Sequence, residues 1–283
     1  MTRPSRCVSR SGFMHSAPPQ GDLLAEIARY WNQHIHDLEI ASQPVGTSGF
    51  FQELDAYRYE KLDYLPRVVD FAGLRGMQLL EVGCGVGTDL IRMARMGARV
   101  TGVEIAEVAI QLARQNFAQN DLPAKLCLMN GERLAFQDDS FDVVYAHGVL
   151  QYTADPQRMV DEIHRVLRPG GKAVLMVYNR YSWLNAMSKV TKVGLEHEDA
   201  PVLRTYSIGE FNRLLRSFDQ REIIPERFPV KSRLHGGWKG MLYNRVFVSS
   251  FAQLPRSWVR PLGWHLIGIG HKASASAHAA SRQ

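Results

Sequence analysis

The sequence predicts an α/β protein built on an open, doubly wound sheet of mostly parallel strands with helices on both faces. Three observations predict it. Strand-sized apolar runs alternate with stretches of helical periodicity from Met77 to Tyr178, the pattern of successive βα units. Leu79 to Val82 run into three alternating glycines, Gly83, Gly85 and Gly87, and then into a helix. A glycine-rich crossing of this kind lets the backbone approach a ligand closely. About 20 residues further on, a second apolar run ends in Glu104, placed to take the two hydroxyls of a ribose.

In chain order, Asp22 to Trp31 reads as an amphipathic helix, capped by Asp22, with Leu24, Ile27, Ala28 and Trp31 at helical spacing. Asn32 to Phe51 is expected to be a loop, marked by Pro44, Gly46 and Gly49. Phe51 to Ala72 returns to helical periodicity, interrupted at Pro66. Met77 to Val82 is the first strand and Thr88 to Met96 the helix after it, ended by Gly97. Strand two is Arg99 to Glu104, with a helix over Glu107 to Gln119. Strand three is Ala124 to Met129 and strand four Asp142 to Ala146. A helix over Pro156 to Leu167 leads to strand five, Lys172 to Tyr178.

Residues 1–20 carry Arg3, Arg6 and Arg10 among Ser and Pro, with no apolar run of signal-peptide length. They read as a disordered tail or as sequence upstream of a start at Met14. Residues 273–283, rich in Ala and Ser, read as a second disordered tail. At 283 residues and 45% hydrophobic content, the chain can bury the core of one catalytic domain. Its longest apolar runs fall short of the roughly 20 residues that cross a bilayer as a helix. Cys7, Cys84 and Cys127 are too scattered for a metal cluster and suit a reducing, cytoplasmic setting.

Leu79 to Glu104 closely resembles the cofactor half of class I S-adenosylmethionine (SAM)-dependent methyltransferases. Phe141 to Tyr145, followed by Gly148-Val149-Leu150, is similar to that family's fourth strand. Arg165-Val166-Leu167-Arg168-Pro169-Gly170-Gly171-Lys172 is similar to its helix end and turn into the fifth. The resemblance covers residues 55 to 180 well and the rest loosely. It implies a Rossmann-like sheet of seven strands, the last two at Asp219 to Pro225 and Leu262 to Ile269, the final one antiparallel. It also implies a helical cap over residues 21–72 and a SAM-binding domain over 73–272. Connections 179–206 and 228–261 are long and lie where open sheets bind ligands, so they read as acceptor-side insertions forming a lid.

The resemblance implies SAM as cofactor, S-adenosylhomocysteine as product, and a role for each matching residue. Gly83, Gly85 and Gly87, with Cys84 between them, give the methionine and ribose portions room, and Glu81 sits near the ammonium group. Glu104 and the adjacent Ile105 hold the ribose, through a charge-assisted pair of hydrogen bonds to the Glu104 carboxylate. In Asn130-Gly131-Glu132, Asn130 stands where the family places an aspartate that accepts from the adenine amino group. An amide oxygen can still accept that bond, and Glu132 is the alternative. His147 lies beside the cofactor or serves only the structure. Arg58 either pairs with the carboxylate of the methionine portion or is a surface arginine.

A sulfonium methyl is already activated, so such an enzyme must align a nucleophile and exclude water. A base is needed only where the acceptor must lose a proton. Related small-molecule and quinone-type methyltransferases often read G-V-L-H-H after strand four. This chain reads Gly148-Val149-Leu150-Gln151-Tyr152, so both histidines are absent, and Gln151 and Tyr152 are suited to bonding or packing against the acceptor. His34 and His36, in His34-Ile35-His36-Asp37, read as a metal or base constellation, as one acceptor-side base, or as loop histidines. Too few further ligands stand nearby to favour a metal. Tyr178 and Tyr206 line the pocket or pack in the core.

The formal charge of +6 is local. After Glu226 there is no acidic residue, while nine Lys and Arg follow, so the first 226 residues carry a net charge of −3. Lys231 and Arg245 lie among Phe228, Trp238, Tyr243, Phe247, Phe251 and Trp258 in segment 227–260. The mixture suits a solvated face over aromatic core, an anionic or amphiphilic acceptor, or a membrane surface; no compact RNA-binding motif argues for nucleic acid. The expected function is methyl transfer from SAM to a small organic acceptor, with Lys231 and Arg245 on the acceptor side. The rivals are a non-catalytic SAM-binding partner module and an NAD-linked oxidoreductase. The early third glycine and the strand-four motifs argue against the oxidoreductase.

Overall fold

The computed structural model describes residues 20–191, 195–229, 241, 245 and 248–274. Helix α1 spans Gln20–Gln33 and α2 spans Ser48–Lys61, with a short α3 at Leu65–Val68. Strand β1 (Gln78–Val82) leads into α4 (Thr88–Arg95), and β2 (Arg99–Glu104) into α5 (Glu107–Gln119). After β3 (Lys125–Leu128) and β4 (Phe141–His147), α6 (Pro156–Val166) runs into β5 (Leu167–Tyr178). Helices α7 (Trp183–Thr191) and α8 (Ile208–Leu214) precede β6 (Gln220–Glu226), and β7 (His265–His271) closes the sheet.

The seven strands lie in the order β3-β2-β1-β4-β5-β7-β6. Only β7 runs antiparallel to its neighbours, β5 and β6. Successive strand residues point to opposite faces, so Leu79 and Val143 enter one apolar cluster with Leu90 and Ile110. Their neighbours Leu80 and Val144 enter the other, with Ile163 and Phe211. Near-continuous apolar runs are therefore what strands covered on both faces require.

Helix α1 starts by Gln20, so Asp22 lies in its first turn rather than capping it, and three further boundaries depart from the sequence expectation. Helix α2 begins at Ser48, inside the expected loop, because the Thr47 side chain accepts from the Phe50 amide and caps it. It stops at Lys61, and Pro66, which has no N–H to give, opens the separate α3. Strand β5 starts at Leu167, which pairs with Phe141; a register shift then absorbs the Pro-Gly-Gly segment before Lys172 joins Val143. Phe50, Phe51 and Leu54 of α2 pack on Val86 and Leu112, which lays the N-terminal helices over the glycine turn and α5.

Candidate functional site

The strand order reverses between β1 and β4, and a cavity of about 210 Å³ opens at the carboxyl ends of the strands there, where such sheets take ligands. It has two halves, set by the sheet. One is built on β1 to β3 and the turns after them. The other is built on β4, β5, β7 and the end of β6, roofed by the N-terminal helices.

On the first half, Gly83 and Gly85 adopt left-handed backbone with φ of 72° and 52°. A Cβ at Gly83 would lie 2.3 Å from Val149, whereas one at Gly85 would meet only open space on the cavity wall. Gly87, also at positive φ, faces Phe117 and Ala113 rather than the cavity, so it serves packing of the turn. The Glu104 carboxylate accepts from the amides of Gly85 (3.0 Å), Ile105 (2.7 Å) and Ala106 (3.0 Å). Burial raises its pKa, and those amides oppose the rise. Glu81 is buried with Oε2 unpartnered among the described residues, and its carboxyl is pushed well up by burial and by Asp89.

Cys84, Ile105, Asn130, Gly131 and Glu132 also line the cavity. The Asn130 side-chain oxygen accepts from the Glu132 amide at 2.9 Å, forming a local turn. Glu132 itself is held by Thr153 and by the amides of Ala154 and Asp155, so its carboxylate fixes the loop after β4. These features fit the SAM expected from the sequence: an orphaned buried carboxylate oxygen, an open glycine wall, and a second carboxylate with acceptor capacity left over.

On the second half, His147 ends β4 and Tyr178 ends β5, beside His265 at the start of β7. His36, Asp37, Lys61, Tyr152, Glu196 and Arg227 complete the wall. Lys61 bridges Asp37 (3.3 Å) and Glu196 (3.0 Å), and Arg227 reaches Glu196 at 3.1 Å. Arg58 is neither a surface residue nor a free cation: it forks onto buried Asp89, which also accepts from Tyr59 and Tyr145. Arg227 and Lys61 hold Glu196 well below the usual carboxylate range against the cost of burial. Burial, with nearby arginines, holds His147 and His265 well below the ordinary imidazole value, so both rings are neutral. His36 contacts His197 at 2.8 Å, and its pKa is lowered to about 4, chiefly by burial.

Several expected site residues stand elsewhere. His34 stacks on Tyr30 and bonds its carbonyl, because α1 continues to Gln33 and turns this ring back along the helix. Gln151 is fully buried away from the cavity, its side chain without a hydrogen-bond partner among the described residues. Tyr206 packs in the second core cluster, where Asn179 bridges to it. Arg245 is exposed and does not line the cavity, and Lys231 lies outside the described residues. His36, Tyr178 and Tyr152 do face the cavity, with the Tyr152 hydroxyl 3.3 Å from that of Tyr178. Lys61, Glu196 and His265 were not marked by any motif, and Arg227 showed only as the first of the basic residues after Glu226.

The sheet order, the glycine turn and the acidic strand ends define a nucleoside-cofactor-binding α/β domain. Residues 80–175 match the family described as a methyltransferase domain. A ubiquinone biosynthesis O-methyltransferase of Alkalilimnicola ehrlichii is 31% identical over 155 residues, 52% of this chain and 62% of that protein. A sterol 4-C-methyltransferase of Caenorhabditis elegans is 35% identical over 98 residues, 34% of this chain and 29% of the other. Among solved structures, geranyl diphosphate C-methyltransferase of Streptomyces coelicolor, bound to S-adenosylhomocysteine, superposes with a TM-score of 0.56 at 17% identity. It covers 91% of this chain and all of its own. Residues 80–175 thus match a methyltransferase domain, and over about half its length the chain is similar to O-methyltransferases. The chain spans between 47% and 62% of the length of the ubiquinone biosynthesis O-methyltransferases it matches in this way. No described helix is long and apolar enough to cross a membrane.

Proposed function

We propose that this chain transfers a methyl group from SAM to a hydroxyl oxygen of a small, amphiphilic organic acceptor. The observation that carries the proposal is a single cavity whose first half bears the glycine turn, Glu81 and Glu104, and whose second half bears neutral imidazoles and tyrosine hydroxyls. Several relatives named as O-methyltransferases support the choice of oxygen. When bound, SAM supplies a methyl carbon already activated by the sulfonium. Glu81 and Glu104 would hold its ammonium and ribose, and Gly85 would leave room against the backbone. Trp31, Tyr152 and Tyr178 wall the acceptor side with aromatic surface and exclude water.

A membrane-surface approach is part of the same proposal. In segment 227–260, Trp258 is 73% exposed, and Arg245, Leu254 and Arg260 are exposed as well. Free thiols at Cys84 and Cys127 suit a reducing, cytoplasmic compartment. The test is methyl transfer from methyl-labelled SAM to a panel of alkylated phenols, amines and thiols of matched size. Labelled methyl ethers are expected. Label confined to amines or thiols, or SAM binding without any transfer, would overturn it.

A further inference from the structure

A line of five side chains runs through the wall of the cavity's acceptor half, with Tyr64 buried behind that wall, and its protons do not balance. Arg58 Nη2 lies 3.3 Å from His147 Nδ1, and His147 Nε2 lies 2.8 Å from the Tyr64 hydroxyl. That hydroxyl is 2.5 Å from His265 Nδ1, and His265 Nε2 is 3.1 Å from Arg227 Nη1. Each of the four links takes one hydrogen. Guanidinium groups only donate, each neutral imidazole carries one N–H, and Tyr64 carries one O–H, so five hydrogens meet four links. Tyr64 is fully buried and its hydroxyl has no further partner among the described residues, so it cannot turn its hydrogen to solvent.

One link is therefore a donor facing a donor, and the longest, Arg58 to His147, is the one. Arg227 donates to His265 Nε2, His265 Nδ1–H donates to Tyr64, and Tyr64 donates to His147 Nε2. His147 Nδ1–H is left opposed to Arg58. Among the described residues, the other charged or titratable groups at these rings are Asp89, His36, Lys61, the stacked Tyr145 and Tyr178 and, through Arg227, Glu196. Because Asp89 already neutralises Arg58, this corner of the cavity wall offers two N–H donors without an acceptor rather than a free charge.

We infer that the Arg58–His147 corner binds an anionic oxygen of the acceptor, so that a phenol- or enol-type hydroxyl enters ionised, with Tyr64 as the positioning residue that orients His147. The inference rests on the hydroxyl-acceptor reading above. On binding, the acceptor O–H bond breaks and its proton passes to water and buffer. The oxygen keeps the electron pair, which accepts from His147 Nδ1–H and Arg58. No carboxylate on the wall is then required as a base. The carboxylate of the cofactor is the other source of such an oxygen, and the experiment separates the two.

4-Nitrophenol, whose visible absorbance reports its ionisation, is titrated into the full chain with and without saturating S-adenosylhomocysteine, over a range of pH. With S-adenosylhomocysteine present, the bound probe should ionise at lower pH than the free one, its anion being preferred about tenfold or more, the size of one hydrogen bond to a charged group. In Tyr64→Phe, Arg58 can donate to His147 Nδ1, the ring turns over to its Nε2–H tautomer, and the preference should fall about tenfold at unchanged S-adenosylhomocysteine affinity. An unshifted probe, or a shift that survives in Tyr64→Phe, overturns the inference. A shift seen only without S-adenosylhomocysteine assigns the corner to the cofactor carboxylate and also overturns it. Should Tyr64→Phe not fold, imidazole ¹⁵N shifts of the wild type decide: His147 as the Nδ1–H tautomer supports the inference, and Nε2–H overturns it. Failure to bind S-adenosylhomocysteine at all would strike at the methyltransferase reading instead.

Discussion

Replacing Glu104 by alanine tests the cofactor half directly, and the structure sets the size of the effect. A carboxylate offers about four acceptor positions, and three backbone amides already use Glu104: Ile105 and Ala106 on Oε1, Gly85 on Oε2. What remains is about one strong charge-assisted bond to a ribose hydroxyl, on Oε2, rather than the pair expected from the sequence. One such bond is worth about 1.5–3 kcal/mol, so Glu104→Ala should weaken S-adenosylhomocysteine binding by about 10- to 150-fold. Glu104→Gln should lose as much. If its oxygen serves Ile105 and Ala106, its NH₂ group must face the Gly85 N–H. Titration calorimetry on the three proteins, with circular dichroism to confirm folding, gives the measurement. An unchanged dissociation constant in folded Glu104→Ala would refute the reasoning, because the ribose would then lie elsewhere.

The glycine turn makes a paired prediction. Gly85→Ala should fold, at a cost of about 1–2 kcal/mol for its left-handed backbone, yet lose cofactor binding, because its new methyl enters open cavity. Gly83→Ala should lose several degrees more in melting temperature, since its methyl collides with Val149; equal melting temperatures for the two would contradict the geometry. Stability should also depend on pH through His147 and His265, whose pKa values in the fold are depressed. Unfolded histidine takes up its proton near pH ~6.5, so the contribution of both rings is complete above that pH and is lost as pH falls toward the folded values. The protons of these two rings alone give a slope of about 2.7 kcal/mol per pH unit well below the unfolded value, and His36, lowered to about 4, adds to it in the same direction. Urea unfolding at pH 7.5, 6.0 and 5.0 checks this, and a flat profile would show that the rings titrate normally.

The cofactor half was legible in the sequence because it is local. Glu81, Gly83, Gly85 and Glu104 belong to one βαβ unit, and the spacing of that unit fixes where its strand ends and turn fall. The strand count and the antiparallel final strand were legible through the resemblance, and the sheet order carries both. Gln151 was expected against the acceptor, and Tyr206 was open between pocket and core, because a polar residue beside a motif can face the core as readily as the ligand, and only packing decides which.

The sequence by itself determined the succession of βα units, the glycine turn and the carboxylates that end its strands, Glu81 and Glu104, which line the cavity, since alternation, turn chemistry and short spacing act within a few tens of residues. Only the tertiary structure decided the acceptor side. Tyr64 and His265 meet across 201 positions in sequence. They do so because β7 inserts antiparallel between β5 and β6, bringing its first residue to the edge where β5 ends. Lys61 and Glu196 meet because α2 and the segment after α7 close over that same edge. No local periodicity encodes such a meeting; it follows from burying two sheet faces and a cap around one cavity.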